Sequence, residues 1–388
     1  MTLKLNGMIK KILLSPPHMG GDELKFITEA FEMNWIAPMG PHIDNFEIAL
    51  ASYIGIDNCV ALASGTSAIH LALIILGVGR GDEIICQSFT FSASANPIRY
   101  LDAIPIFIDS EKDSWNMDVN SLENAIKSRI SLKKKKPKAV IVVHAYGMPA
   151  KIDEIASICK KYEISLIEDA AEALGSSYKG KMLGSFGDFG ILSFNGNKII
   201  TTSCGGALLS NNSNFIEKAR YLSTQARDFA PHYQHSQIGY NYRMSNICAA
   251  IGLGQMLILN DRIKTRRENY SYYFEQLGKI DGIDFLKETK GAYSNRWLTT
   301  LLFDETKLGV TREKIRLKLS TFNIESRPLW KPMHMQPIFS KYQYYGLNVS
   351  EQLFVNGLCL PSGSNLSMED KKLIVKTIKS CLAEAEFT

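Results

Sequence analysis

The chain lacks three things that would place it quickly: paired cysteines, a long apolar run and a strong excess of one charge. Its 388 residues hold seven cysteines, at 59, 86, 159, 204, 248, 359 and 381, an odd number with no C-x-x-C pair. Several sit in apolar strand or helix patterns, which argues against a disulfide framework or a cysteine metal site and predicts reduced thiols in a reducing compartment. The longest apolar stretch, around Ile69 to Val78, falls far short of the ~20 residues a bilayer-spanning helix needs. The first residues, MTLKLNGMIKKILLSPPHMGG, carry lysines but neither an apolar core nor a small-residue cleavage site, so they make a poor signal peptide. The expectation is a cytoplasmic protein with no membrane partner. A formal net charge of +5 suits small anionic substrates and does not call for nucleic acid. The only dense basic run, KKKKPK at 133–138, reads as a solvated loop between a helix and a strand. Internal repeats and low-complexity segments are absent too, and no metal is expected.

What is present describes an ordinary globular protein, 45% apolar and 21% charged. At this length two domains are the prior. From Val60 onward, short apolar strands alternate with helical stretches: 60–63, 83–87, 104–108, 139–144 and 165–169, with helices at 68–76, 92–102, 121–130 and 152–162. Strands so uniformly apolar predict an α/β fold, with a mainly parallel central sheet flanked by helices on both faces. From about Leu257 the pattern changes to a long charged helix, a strand near 297–303, and helices at 311–321 and 368–384. The expected division is a large α/β domain over 1–255 and a smaller C-terminal α+β domain over 256–388.

Binding sites in such sheets form at the carboxyl ends of the strands, and the candidate residues fall there. Lys198 follows the turn Asn195-Gly196-Asn197 and precedes Ile199 and Ile200. Taken alone it is a solvated lysine after a turn. Boxed by apolar neighbours, it is partly desolvated, which favours the free amine and attack on a carbonyl. Asp169 ends a strand beside small residues, where a carboxylate can hold a proton on a heteroaromatic nitrogen, although a helix N-cap would look the same. Ser64-Gly65-Thr66-Ser67, between strand and helix, offers backbone N–H groups and hydroxyls to a phosphate, and equally describes a capped helix start. Phe91 puts an aromatic at the same edge. Phosphate cradle, ring-nitrogen carboxylate and lysine together describe a pyridoxal phosphate site.

Over nearly its whole length the chain resembles the DegT/DnrJ/EryC1/StrS sugar aminotransferases, within fold type I of the pyridoxal phosphate enzymes. The resemblance is carried by NWIAPMGPHIDNFE, SGTSAIHLAL, GRGDEIICQSFTFSASANPI, VVHAYGMPAKIDEI, IEDAAEALGSSYKGK, SFGDFGILSFNGNKIITTSCGG and GYNYRMSNICAAIGLGQ. It implies that Lys198 is the catalytic lysine that carries the cofactor and moves protons, and that Asp169 is the partner of the pyridine nitrogen. It further implies Glu172 beside the ring, Phe91 stacked on it, and Gly65, Thr66 and Ser193 on the phosphate. Asn241 would reach the phosphate of the neighbouring subunit, so that a homodimer shares its active sites. The cofactor would be pyridoxal 5'-phosphate, with pyridoxamine 5'-phosphate as its amino-bearing form. One departure is visible: Ser203-Cys204-Gly205-Gly206 stands where the family commonly has Gly-Glu-Gly-Gly.

A narrower resemblance, in LSPPHMGG, SNRWLTT and RPLWKPMHMQPIF, points to the aminotransferases that make UDP-4-amino sugars on the bacillosamine route. It implies a UDP-linked 4-keto-6-deoxy sugar as acceptor, L-glutamate as donor, and Asn295, Arg296, Arg327, Trp330, Lys331 and His334 as substrate-binding residues. Arginine and tryptophan there suit a uracil ring and a diphosphate. The alternative is an aminotransferase on another nucleotide-linked keto sugar, with a dTDP or GDP carrier or a C3 ketone. Sugar dehydratases on the same fold replace the lysine with histidine, so Lys198 speaks against that chemistry. The intact Lys198, Asp169 and Ser193 likewise speak against a non-enzymatic sensor.

Overall fold

The computed structural model describes residues 11–133 and 136–386. The first ten residues and positions 134 and 135 of the basic run lie outside it. Eight strands form the main sheet, in spatial order Asn58–Leu62, Gly206–Ser210, Phe189–Ser193, Ser165–Asp169, Ala139–Val143, Glu83–Gln87, Ile104–Ile108 and Tyr344–Tyr345. Gly206–Ser210 runs antiparallel to both its neighbours, and the remaining pairs are parallel.

Side chains alternate across a strand, and the two faces of this sheet show it. On Glu83–Gln87, Ile84 and Cys86 join a core that includes Leu71 and Leu73 of the helix Gly65–Ile75 and Leu222 of the helix Ser213–Ser223. Ile85 faces the opposite way, onto Leu122 and Ile126 of Val119–Lys133 and Ile155 of Ile152–Tyr162. With both faces covered, the strands read as unbroken apolar runs. Each fully buried Ile or Leu contributes about 1.5–3 kcal/mol relative to exposure.

A second, four-stranded antiparallel sheet is ordered Ile283–Phe285, Thr299–Phe303, Gly357–Leu360 and Arg327–Pro328. One core of this region gathers Tyr273, Leu277, Leu301, Phe303, Leu319 and Ile374, from the helices Leu259–Leu277, Arg312–Thr321 and Met368–Glu386 and the strand Thr299–Phe303. A separate cluster, with Phe89, Tyr146, Trp297, Leu298, Leu329 and Cys359, joins the ends of the main-sheet strands to the small sheet. The site lies at this seam.

Some backbone pairings join distant parts of the chain. Tyr344 and Tyr345 pair with Phe107 and Ile108, extending the main sheet from far down the sequence. Ile12 bridges Ile324, so the segment around it packs with the small sheet. The helical stretch expected at 92–102 is broken into a short turn of helix, Ser92–Ser94, and Asn96–Tyr100, with Pro97 in the first turn of the latter. The missing proline N–H is tolerated only at a helix start.

Glu168, on the strand that ends in Asp169, pins the loop behind the site. Its carboxylate accepts hydrogen bonds from His144 Nε2 at 3.1 Å, Gly184 N at 2.9 Å, Gly187 N at 2.7 Å and the Phe186 N–H. His144 accepts the Ala150 N–H at Nδ1, which places its own proton on Nε2. Glu168→Ala leaves these buried donors unsatisfied and is expected to cost about 3–5 kcal/mol, read as a lower denaturation midpoint in urea.

Candidate active site

Five strand ends and the start of the antiparallel strand meet at one edge of the main sheet. They open into a cavity of about 660 Å³ at the seam with the small sheet. Gly65, Thr66, Phe91, Asp169, Glu172, Ser193 and Lys198 all line it.

The first strand runs into Ser64, which caps the helix Gly65–Ile75. Ser64 Oγ accepts the Ser67 N–H at 3.0 Å, and the Ser64 N–H donates to Ser67 Oγ at 3.0 Å. This capping box uses up the two serines. It leaves Gly65, Thr66 and the Thr66 hydroxyl at the helix start, where the dipole and free N–H groups favour an anion. Close packing explains the glycines. A Cβ on Gly65 would lie 3.3 Å from both Leu192 O and Ser193 Cβ, and one on Gly206 would come within 2.3 Å of the Gly65 nitrogen.

Asp169 is buried and fixed: Oδ2 accepts from Ser94 Oγ at 2.6 Å and Oδ1 from the Ala171 N–H at 3.2 Å. No helix begins after it, so it is not an N-cap. Thr90 Oγ1 lies 2.7 Å from Ser94 Oγ and extends the chain of hydroxyls.

Lys198 is not boxed by the isoleucines that follow it, which belong to the core beneath. Its side chain, 11% exposed, lies with Nζ 3.2 Å from Glu172 Oε1 and 4.5 Å from the centre of the Trp297 ring. The turn before it is held from two sides. Trp297 Nε1 and Ser15 Oγ each donate to Asn197 O at 2.7 Å. Buried Arg266 joins these two donors through Trp297 O at 2.6 Å and Ser15 Oγ at 3.0 Å.

Glu172 is 5% exposed, and its Oε2 accepts the Tyr146 N–H at 2.9 Å. Burial pushes its carboxyl up to about 7, against the pull of Lys198 and the Tyr146 N–H, with Asp169 adding to the rise. Tyr146 holds a left-handed backbone, φ 55°, which is strained for a non-glycine residue. Its ring stacks on Trp330 at 4.3 Å, its hydroxyl accepts the Trp330 N–H at 3.0 Å, and burial raises its phenol.

Of the six residues expected to meet substrate, Arg327 and Trp330 line the cavity. Arg327 Nη2 lies 2.9 Å from Glu325 Oε1, while Glu325 Oε2 accepts the Leu14 N–H at 3.0 Å. Asn295 lies behind the wall, donating to Glu172 O at 2.8 Å and Leu174 O at 2.9 Å. Arg296 is buried, its guanidinium 3.7 Å from the centre of the Tyr270 ring and hydrogen-bonded to Leu286 O at 2.6 Å. His334 is held between Ser88 Oγ at 2.7 Å and Glu351 Oε1 at 3.2 Å, stacked on Tyr344. Lys331 and Asn241 are also outside the cavity lining, and Asn241 is exposed, bridged to Thr224. Cys204, at the departure from the family's glycine-rich loop, lines the cavity.

Sequence reasoning missed Ser15, Ser94, Tyr146 and Glu325. Tyr146 alone carried a signal, as a residue just past a strand end.

This donor set fits pyridoxal phosphate: N–H groups and the Thr66 hydroxyl at a helix start for the phosphate, a fixed carboxylate for the ring nitrogen and a shielded lysine for the aldehyde. Fold and site together define a fold type I pyridoxal phosphate-dependent aminotransferase. The chain belongs to the DegT/DnrJ/EryC1/StrS aminotransferase family, whose model matches residues 17–379. It is 52% identical to EpsN of Bacillus subtilis (strain 168), named as a pyridoxal phosphate-dependent aminotransferase, over 96% of each chain. It is 37% identical to the GDP-perosamine synthase of Escherichia coli O157:H7, over 95% of this chain and 98% of that one. Among solved structures, a Streptococcus pneumoniae protein described as a sugar aminotransferase, in its PMP form, superposes with a TM-score of 0.89. It shares 26% identity over 97% of this chain and 99% of that one.

Proposed function

We propose that the enzyme transfers the amino group of L-glutamate to C4 of a UDP-linked 4-keto-6-deoxy sugar. The specific acceptor is UDP-2-acetamido-4-keto-2,4,6-trideoxyglucose, and the product is a cytoplasmic precursor for a glycan. The observation that carries the reading is the convergence of Lys198, Asp169 and the helix start at Gly65 on one cavity beside Arg327 and Trp330.

When bound, pyridoxal phosphate supplies an electron sink for the bond broken beside the transferred nitrogen. The protein does the rest. Thr66, Ser193 and the Gly65 N–H would hold the phosphate, and Asp169 would keep a proton on the ring nitrogen. Lys198 Nζ is the amine that would hold the cofactor by its aldehyde and, once freed, would carry the proton between the substrate carbon and the cofactor carbon in each half-reaction. Phe91 would cover the ring, and the Trp297 ring shields one side of the lysine. Glutamate leaves as 2-oxoglutarate before the keto sugar takes up the nitrogen. Arg327 and Trp330 present a guanidinium and a flat ring to the diphosphate and uracil.

The functional unit is a homodimer, in which Asn241 of the partner subunit completes the phosphate site. Its exposed position outside its own cavity supports this arrangement. Thr66→Val removes one hydroxyl contact to an anion, of about 1.5–3 kcal/mol. Cofactor affinity should therefore fall by about 10- to 100-fold, measured by titrating cofactor-free protein.

A second reading, a GDP-linked acceptor, is favoured by the likeness to GDP-perosamine synthase. Steady-state rates with the UDP- and GDP-linked 4-keto sugars separate the two. The UDP reading expects kcat/KM to favour UDP by about 100-fold. Equal or reversed values would reject the UDP carrier.

A further inference from the structure

Glu172 stands closer to the chemistry than the wall of a ring pocket needs to. Its Oε1 faces Lys198 Nζ at 3.2 Å, while Oε2 is anchored by the Tyr146 N–H at 2.9 Å. Its backbone carbonyl is tied to Asn295 Nδ2 at 2.8 Å. The carboxyl is therefore immobile, with one oxygen fixed and the other turned to the amine. Both oxygens of the neighbouring carboxylate, Asp169, are already engaged by Ser94 and Ala171. The Trp297 ring lies on another side of the lysine, which leaves Glu172 as the ionisable group in contact with Nζ.

We propose that Glu172 is a catalytic acid–base partner of Lys198, accepting the Nζ proton on Oε1 and returning it during each half-reaction. The proposal rests on the reading of Lys198 as the reacting amine. Each transfer breaks one N–H bond and forms one O–H bond; the electron pair stays on nitrogen, and no oxidant or reductant takes part.

An ordinary lysine keeps its proton to about pH 10 and an ordinary carboxylic acid loses its own near pH 4, so the two rarely exchange a proton at neutral pH. Here burial brings the acid up to about 7, where a general acid–base group is most effective. The titratable groups facing Glu172 are Lys198, Asp169, the Tyr146 phenol and the Cys359 thiol. Burial raises the last two, which stay neutral through this range.

The test compares wild type with Glu172→Gln, which keeps the shape and the acceptor for the Tyr146 N–H. In cofactor-loaded protein, bleaching of the visible band by L-glutamate is followed in a single turnover across pH. The glutamine variant should bleach about 100-fold more slowly and lose the rise in rate near neutral pH. In cofactor-free protein, acylation of Lys198 by an amine-reactive ester is followed by mass spectrometry across the same range. There the variant should label at lower pH than wild type, because the ammonium has lost its counter-ion. Should the glutamine variant fail to fold, Glu172→Asp is read instead, with slower bleaching and the neutral-pH rise retained. A Glu172→Gln protein matching wild type in both measurements, beside an inactive Lys198→Ala, overturns this proposal alone. Turnover by Lys198→Ala overturns the reading of the lysine and this proposal with it.

Discussion

Lys198→Ala is expected to remove amino transfer while leaving the chain folded. The loss has two sources: no amine remains to hold the cofactor, and no base remains to carry the proton. Loss of a general base alone typically costs about 10²- to 10⁴-fold, so the variant should fall at least about 10⁴-fold in kcat. The fold should tolerate the change. The side chain gives up one ion pair to Glu172 and one contact with the Trp297 ring. Glu172, already raised to about 7, takes up a proton rather than remaining as an unpaired buried charge. Stability should therefore change by about 1–2 kcal/mol. Circular dichroism with thermal unfolding checks the fold, and turnover assays with and without a small added amine check the chemistry. Appreciable turnover without added amine would remove Lys198 from its role.

Asp169→Asn is the second large effect. An opposite charge beside a titratable nitrogen is worth about 1–3 pKa units, or about 1.4 kcal/mol for each. Without it the ring nitrogen gives up its proton and the electron sink weakens. The glutamate half-reaction should slow by about 10- to 1000-fold, measured as single-turnover bleaching. Asparagine still accepts from Ser94 Oγ or the Ala171 N–H, which hold Asp169 at 2.6 Å and 3.2 Å, so the pocket should keep its shape. The helix start at Gly65 is untouched, so cofactor should still bind. An unchanged half-reaction rate would take Asp169 off the ring nitrogen.

Much of this site can be read along the chain because local rules govern it. The strands Glu83–Gln87, Ile104–Ile108 and Ser165–Asp169 and the helix Ile152–Tyr162 fall where apolar periodicity places them. In a sheet covered on both faces, the chemistry gathers at the strand ends. Asp169, Ser64 to Thr66 and Lys198 are therefore visible as punctuation after apolar runs. Contacts between distant segments are not visible in this way. The shielding of Lys198 comes from Trp297, 99 residues away, and its ion-pair partner is Glu172, while Ile199 and Ile200 belong to the core beneath. Ser15 braces the turn before the lysine from far up the chain, and Arg266, from far down it, holds Ser15 in turn. Nothing in LSPPH or in a charged helix announces that role. The same limit explains the substrate residues. The Asn295-to-His334 stretches have the right residue types, yet of the residues put forward only Arg327 and Trp330 reach the cavity. Arg296 and His334 are tied into Tyr270, Leu286, Ser88 and Glu351, contacts that only the folded chain reveals.

The central claim is a lysine-bound cofactor that receives an amino group from glutamate and passes it to a UDP-linked 4-keto sugar. Its most direct test is the visible absorption spectrum of the cofactor-loaded protein, recorded before and after L-glutamate and again after the keto sugar. The account predicts a yellow band that bleaches with glutamate and returns when UDP-2-acetamido-4-keto-2,4,6-trideoxyglucose is added. Bleaching without recovery would contradict the proposed acceptor, and the absence of any band after incubation with pyridoxal phosphate would contradict the role of Lys198 itself.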